Sequence, residues 1–231
     1  TDEKQSYCRN HGSTEEASMK QQCKIKFCGI RRLEDVTYMN EYMPDYVGFV
    51  FAPSKRQVSP AVAMALGQEL HPDIKRVGVF VNEPIDKLIQ TAQTAQLDVL
   101  QLHGDEDYSY INRLHEALKQ ETLSYEIWKA VRVKDEETIR MANQFQADKL
   151  LLDSFTTLTY GGSGKVANWE IIQTAKIEKP FFLAGGLTEQ NIVEGIKTVQ
   201  PYGVDLSGGI ETDGCKDRNK IARIIELVKN C

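Results

Sequence analysis

No C-x-x-C pair occurs in these 231 residues, and the five cysteines, Cys8, Cys23, Cys28, Cys215 and Cys231, are odd in number. Neither a disulfide framework nor a zinc ribbon is indicated, and a reducing cytosol is the expected setting. No apolar run approaches the roughly 20 residues of a membrane-spanning helix. The N-terminal stretch carries no hydrophobic region of the signal-peptide kind, so secretion is disfavoured. An excess of positive charge is also missing. The formal net charge is -5, which argues against nucleic acid or an anionic membrane as the main partner. His11, His71 and His115 stand in polar contexts without metal-ligand spacing, so no metal is expected.

Aliphatic residues are almost absent from Thr1 to Gln22. Such a stretch cannot bury enough surface to offset the entropy of ordering it. Residues 1–22 are therefore expected to be a flexible polar tail, and residues 23–231 a single domain. With 41% hydrophobic and 26% charged residues the chain can build a sizeable core. No linker or low-complexity segment divides it.

From Lys24 onward, short apolar runs alternate with helical patterns. Strands are expected at Lys24–Cys28, Asp45–Phe51, Lys75–Val81, Asp98–His103, Tyr125–Val131, Lys149–Asp153, Pro180–Ala184 and Gly203–Leu206. Each is rich in Val, Ile, Leu or Phe, as strands buried on both faces must be. Between them, Ile85, Leu88, Ile89 and Ala92 follow helical spacing, and Ile221, Ile224, Ile225 and Val228 repeat it. Pro60 and Pro84 sit near helix starts, and Pro44 stops the first helix. Eight βα alternations predict an α/β fold, a single-domain (β/α)8 TIM barrel. A doubly wound open sheet is the alternative that spacing alone leaves standing.

Barrels of this kind keep their chemistry at the C-terminal ends of the strands. Cys28 ends the first strand just before Gly29, and Asp153 ends the sixth, roughly across a closed barrel. Taken singly, Cys28 reads as an inert buried thiol and Asp153 as a cap. Taken together, they make an acid and a base facing one ligand. Lys26 shares the strand face of Cys28 by alternation. Arg56, in the loop after the second strand, suits a two-pronged contact to a ligand carboxylate, although Lys55-Arg56 also reads as a solvated pair. His103 closes the fourth strand and serves equally as a structural hydrogen-bonder. Two glycine clusters, Gly185-Gly186 and Ser207-Gly208-Gly209, follow the seventh and eighth strands. Two tight turns explain either pair alone. Their ordinal positions favour a phosphate held by backbone amides, with a following helix adding its positive end. Tyr160–Lys165 is glycine-rich without Walker spacing and reads as a lid.

These pieces, in order, resemble the phosphoribosylanthranilate isomerase family of tryptophan biosynthesis. The resemblance rests on Lys26–Ile30, Val47–Phe51 with Ser54-Lys55-Arg56, Leu100–Gly104, Leu152-Asp153-Ser154, Gly161–Lys165, Ala184–Leu187 and Val204–Glu211. It covers nearly everything from Lys24 onward. It implies a (β/α)8 barrel without metal or organic cofactor, acting on a small phosphoribosyl substrate as a monomer or homodimer. It also implies an Amadori rearrangement of N-(5-phosphoribosyl)anthranilate to 1-(2-carboxyphenylamino)-1-deoxyribulose 5-phosphate. By motif, Cys28 is the general base and Asp153 the general acid. Arg56, His103 and Asp205 bind substrate, with Arg56 at the anthranilate carboxylate. Gly185, Gly186, Ser207, Gly208 and Gly209 bind phosphate. Phe27 stands where an aliphatic is usual, and Ser-Gly-Gly replaces a common Ser-Ser-Gly at 207–209.

The implied chemistry requires a neutral Asp153 that protonates the ring oxygen and a Cys28 thiolate that removes the C2 proton. The acid is therefore expected to have a raised pKa and the base a lowered one. Two rival readings are a sister isomerase of the histidine-pathway aminoaldose and a non-catalytic phosphoribosyl-binding barrel. The cysteine in the base position speaks against the first, and the acid–base pair against the second.

Overall fold

The computed structural model describes residues 22–153 and 169–231. The expected tail, Gln22 apart, lies outside the described residues, as do Ser154 and the expected lid at 160–165.

Eight parallel strands form a closed barrel in sequence order: β1 Lys24–Cys28, β2 Tyr46–Val50, β3 Lys75–Phe80, β4 Val99–Leu102, β5 Glu126–Arg132, β6 Lys149–Asp153, β7 Phe181–Ala184 and β8 Gly203–Leu206. Each strand lies within a residue or two of its sequence-based expectation. The open-sheet alternative is excluded because β8 pairs with β1, setting Lys26 opposite Asp205 and Phe27 opposite Leu206. Helices alternate with the strands: α1 Leu33–Tyr42, α2 Pro60–Gln68, α3 Ile85–Thr94, α4 Tyr108–Gln120, α5 Glu136–Ala142, α6 Trp169–Thr174, α7 Ile192–Val199 and α8 Arg218–Lys229.

Strand alternation separates two cores. One face of each strand, with residues such as Ile25, Phe27, Val47, Phe49, Leu100, Leu150 and Leu183, packs against the helices. Those helices supply Leu88, Ile89 and Ala92 from α3 and Ile221, Ile224, Ile225 and Val228 from α8, the residues their spacing predicted. The other face fills the barrel. There Tyr46, Trp128 and Phe182 form an aromatic plug, with Trp128 stacked on Phe182 at 4.5 Å and Tyr46 edge-on to Trp128 at 5.0 Å. Pro60 opens α2 behind the Ser59 cap, whose hydroxyl oxygen accepts from the Val62 N–H.

Aspartates hold the lower rim in a repeating way. Asp45, just before β2, accepts from the Ile25 N–H of β1. Asp98, before β4, accepts from the Arg76 N–H of β3, and Asp148, before β6, from the Ile127 N–H of β5. Each satisfies a donor at the start of the preceding strand that would otherwise lack a ladder partner.

One feature was not anticipated from the sequence. Between β8 and α8 the chain makes a 3-10 turn at Gly208–Ile210 and then a small hairpin, β9 Glu211–Thr212 and β10 Cys215–Lys216. Asp213 and Gly214 form its tip, both at positive φ. The Asp-Gly pair is the signal that announces such a hairpin.

Candidate active site

Cys28, His103, Asp153, Asp205 and Ser207 all stand at or just past the C-terminal ends of strands, on the face that points into the barrel. They come from β1, β4, β6 and β8, so closure of the sheet brings residues up to 179 positions apart to one mouth.

Cys28 is nearly closed off from solvent, at 8% exposure. Its sulfur lies against Gly48 of β2, where an added Cβ would come within 2.7 Å of Sγ. Gly29 then turns the chain at a φ of 87°, a conformation that favours glycine, and makes room for the Arg56 side chain above it. The N–H groups of Gly29 and Ile30 both donate to the Gly48 carbonyl, which fixes the turn. The Cys-Gly break thus places Arg56 beside the thiol.

Charge surrounds the sulfur. Lys26, fully buried, donates from Nζ to Oδ1 of Asp205 at 2.8 Å. The pair is a charge-assisted bond across the seam between the first and last strands. Burial pushes the Cys28 thiol above its ordinary pKa; the Lys26 and Lys216 ammonium groups oppose that and Asp205 adds to it. The expected depressed pKa of the base is therefore not found. Desolvation of a closed-in thiolate outweighs the two cations. Lys26 is itself held charged: burial works against its ammonium, but the neighbouring Asp205 and Cys28 raise its pKa overall.

His103 opens to solvent within the concave mouth and sits 2.8 Å from the Gln101 side-chain amide through Nδ1. The protein packed around the ring lowers its pKa, so the imidazole is neutral at neutral pH. Its loop is stapled by Glu106, which accepts from the N–H groups of Asn82 and Gly104 and from Lys129 Nζ at 3.0 Å. Asp153 continues β6 opposite Arg132 of β5 and Ala184 of β7, with its side chain partly exposed.

Arg56 already uses its fork. Its Nε and Nη2 donate to the two carboxylate oxygens of Glu211 at 2.7 and 2.6 Å. Lys216, buried under the hairpin, donates to Glu211 at 2.8 Å and to the Ser207 carbonyl at 3.1 Å. Burial alone would push the Glu211 carboxyl up. The hydrogen bonds and charges of Arg56 and Lys216 instead hold it at about 2. Sequence reasoning did not single out Glu211 or Lys216, because both depend on the unanticipated hairpin.

The glycine clusters meet. Gly185 and Gly186 have φ values of 92° and 66°. Gly209 lies so close to the preceding loop that a Cβ would overlap the Leu187 carbonyl oxygen, whereas one at Gly208 would have only Arg56 Nη2 near it, at 3.7 Å. Ser207 gives its hydroxyl proton to the Cys28 carbonyl at 3.0 Å, so its hydroxyl ties β8 to β1. The positive end of α8, expected to help hold an anion, is occupied by its own cap: Asp217 accepts from the N–H groups of Asn219 and Lys220. Among the described residues no group of three or more His, Cys, Asp or Glu side chains converges as a metal site. A cavity of about 840 Å3 lies at the opposite end of the barrel, by Cys23, Tyr202 and Cys231, away from these groups.

Residues 25–227 match the family model described as N-(5'-phosphoribosyl)anthranilate (PRA) isomerase. The chain is 47% identical over 206 residues to the N-(5'-phosphoribosyl)anthranilate isomerase of Thermoanaerobacter pseudethanolicus, covering 89% of this chain and 98% of that one. It superposes on the crystal structure of phosphoribosyl anthranilate isomerase from Thermotoga maritima with a TM-score of 0.77 and 36% identity, over 90% of this chain and all of the other. A further phosphoribosyl anthranilate isomerase structure, holding reduced 1-(o-carboxyphenylamino)-1-deoxyribulose 5-phosphate, matches with a TM-score of 0.73 and 33% identity over 90% of this chain and all of that one. With an eight-stranded closed barrel and a match from residue 25 to residue 227, the chain belongs to the N-(5'-phosphoribosyl)anthranilate isomerase family, the Amadori isomerases of tryptophan biosynthesis.

Proposed function

We propose that this chain isomerises N-(5'-phosphoribosyl)anthranilate with Cys28 as general base and Asp153 as general acid. The observation that carries the reading is the placement of both groups on inward-facing strand ends of one barrel mouth, with the paired glycine loops on the same rim. Asp153 gives its proton to the ring oxygen of the aminoaldose, and the C1–O bond breaks to leave an iminium. The positive nitrogen acidifies the C2–H. Cys28 takes that proton, and the electron pair moves to form an enolamine. Loss of the enol proton and protonation at C1 give the aminoketone. Atoms and electrons balance without a cofactor, because the net change moves hydrogen from C2 to C1 and the proton of the C2 hydroxyl to the released ring oxygen.

Phosphate binds at Gly185, Gly186, Ser207, Gly208 and Gly209, through backbone amides that glycine leaves accessible. The Ser207 hydroxyl is already committed, so its part falls to its N–H. Arg56 meets the anthranilate carboxylate with donors outside its Glu211 fork, and that fork holds the guanidinium aimed at the mouth. His103 and Asp205 line the substrate, the first as a neutral hydrogen-bonding ring.

The test is turnover of N-(5'-phosphoribosyl)anthranilate beside the aminoaldose of the histidine pathway. Isomerisation of the first is expected. Turnover of the second alone would assign the sister reaction, and binding without turnover would leave a non-catalytic barrel. Arg56→Ala is expected to raise KM about tenfold or more through loss of a charged contact, and unchanged KM and kcat would remove Arg56 from the site.

A further inference from the structure

The Cys28 base presents a physical problem: a thiol this buried resists ionisation, yet the reaction needs its thiolate. We infer that Lys26, held by Asp205, is a positioning residue that supplies the counter-charge for the Cys28 thiolate. This role rests on the isomerase reading above.

Several observations carry it. Lys26 lies two residues before Cys28 on the same strand, so both side chains enter the barrel on one face. Lys26 is fully buried, and a buried ammonium persists only where an anion compensates it. Asp205 provides that anion at 2.8 Å and anchors the lysine from the neighbouring strand. When Cys28 loses its proton the ammonium has two anions to serve, so the cation stabilises the ionised base without moving.

The groups facing the sulfur come from every element around it. Lys26 is on its own strand and Gly48 on β2. Asp205 is on β8 and Lys216 on β10. Arg56 in the loop after β2 also feels its charge. His103 stands across the mouth and feels the charges of Asp205, Lys26 and Asp153. Lys216 is committed to Glu211 and the Ser207 carbonyl, and Arg56 to Glu211. Lys26 has a single carboxylate partner, which leaves its remaining N–H groups for the thiolate.

The test reads the base directly, without turnover. Cysteine is labelled with 13C at Cβ, the Cys28 resonance is assigned with Cys28→Ala, and its shift is followed against pH. In Lys26→Gln the midpoint is expected to rise by about one unit or more, which is about tenfold less thiolate at pH 7. Lys26→Arg keeps the charge and is expected to stay closer to wild type than Lys26→Gln does. An unchanged midpoint in folded Lys26→Gln overturns the assignment. If that variant fails to fold, Lys26→Met decides by the same readout, and an unchanged midpoint in it overturns the assignment. Wild type that titrates as described yet turns over no substrate would refute the isomerase reading and leave the electrostatic pairing intact.

Discussion

The carboxyl and the thiol proposed as acid and base stand at opposed strand ends in different environments. Cys28 is shut into the seam between β1, β2 and β8, whereas Asp153 is partly open to the mouth. Loss of the Asp153 proton donor by Asp153→Asn is expected to lower kcat at least about a hundredfold with the circular-dichroism spectrum unchanged, and near-normal kcat would remove it from the acid role. His103 is expected to stay neutral through the physiological range. Followed by NMR, its ring should titrate below the ordinary 6.5, and a midpoint above that value would contradict a neutral hydrogen-bonding role. Their positions at strand ends were legible in the sequence because each closes or follows an apolar strand-like run. Glu211 and Lys216 were not, since their meeting with Arg56 depends on a hairpin only four ladder residues long. The ionisation state of Cys28 was misread for a related reason: the spacing places Lys26 on its face but does not tell how little water reaches the sulfur.

Elements meet the mouth through backbone as much as side chains. The loops after β7 and β8 touch at Gly209, whose lack of a side chain allows contact with the Leu187 carbonyl. Gly209→Ala is therefore expected to cost about 1–3 kcal/mol in chemical denaturation, the usual penalty of overpacking, while Gly208→Ser is expected to fold as wild type. Equal stability of the two variants would show that the loops are not wedged together. Strand positions were readable from length and β-branched content, and α3 and α8 from their 3.6-residue spacing. The helix expected to present its positive end after β8 was misplaced. Residues 207–217, a turn and a hairpin, intervene before α8, and Asp217 already takes the first amides of that helix. Glycine pattern identifies where backbone must bend, but not which element follows the bend.

The barrel closes where β8 meets β1, and two groups of ionic contacts lie at that seam. Lys26–Asp205 spans it inside the barrel, and Arg56, Glu211 and Lys216 tie its upper end to the loop after β2. Glu211, held near 2 against an ordinary 4.5, binds a proton more readily unfolded than folded. Its contribution to stability is therefore present above the ordinary value and lost as pH falls from about 5 toward 2. Thermal melts of wild type and Glu211→Gln are expected to differ at neutral pH and converge across that window; a constant difference would assign the effect to packing. Closure itself was only inferable from the count of eight strands. Spacing alone is compatible with an open sheet, and it is the pairing of β8 with β1 that distinguishes the two.

The most direct measurement is the loss of substrate fluorescence as N-(5'-phosphoribosyl)anthranilate is consumed, followed for wild type and Cys28→Ala in parallel. Rapid conversion by the wild type is expected, with at least about a hundredfold lower kcat in a folded Cys28→Ala protein. Conversion by Cys28→Ala at close to the wild-type rate would show that some other group removes the C2 proton.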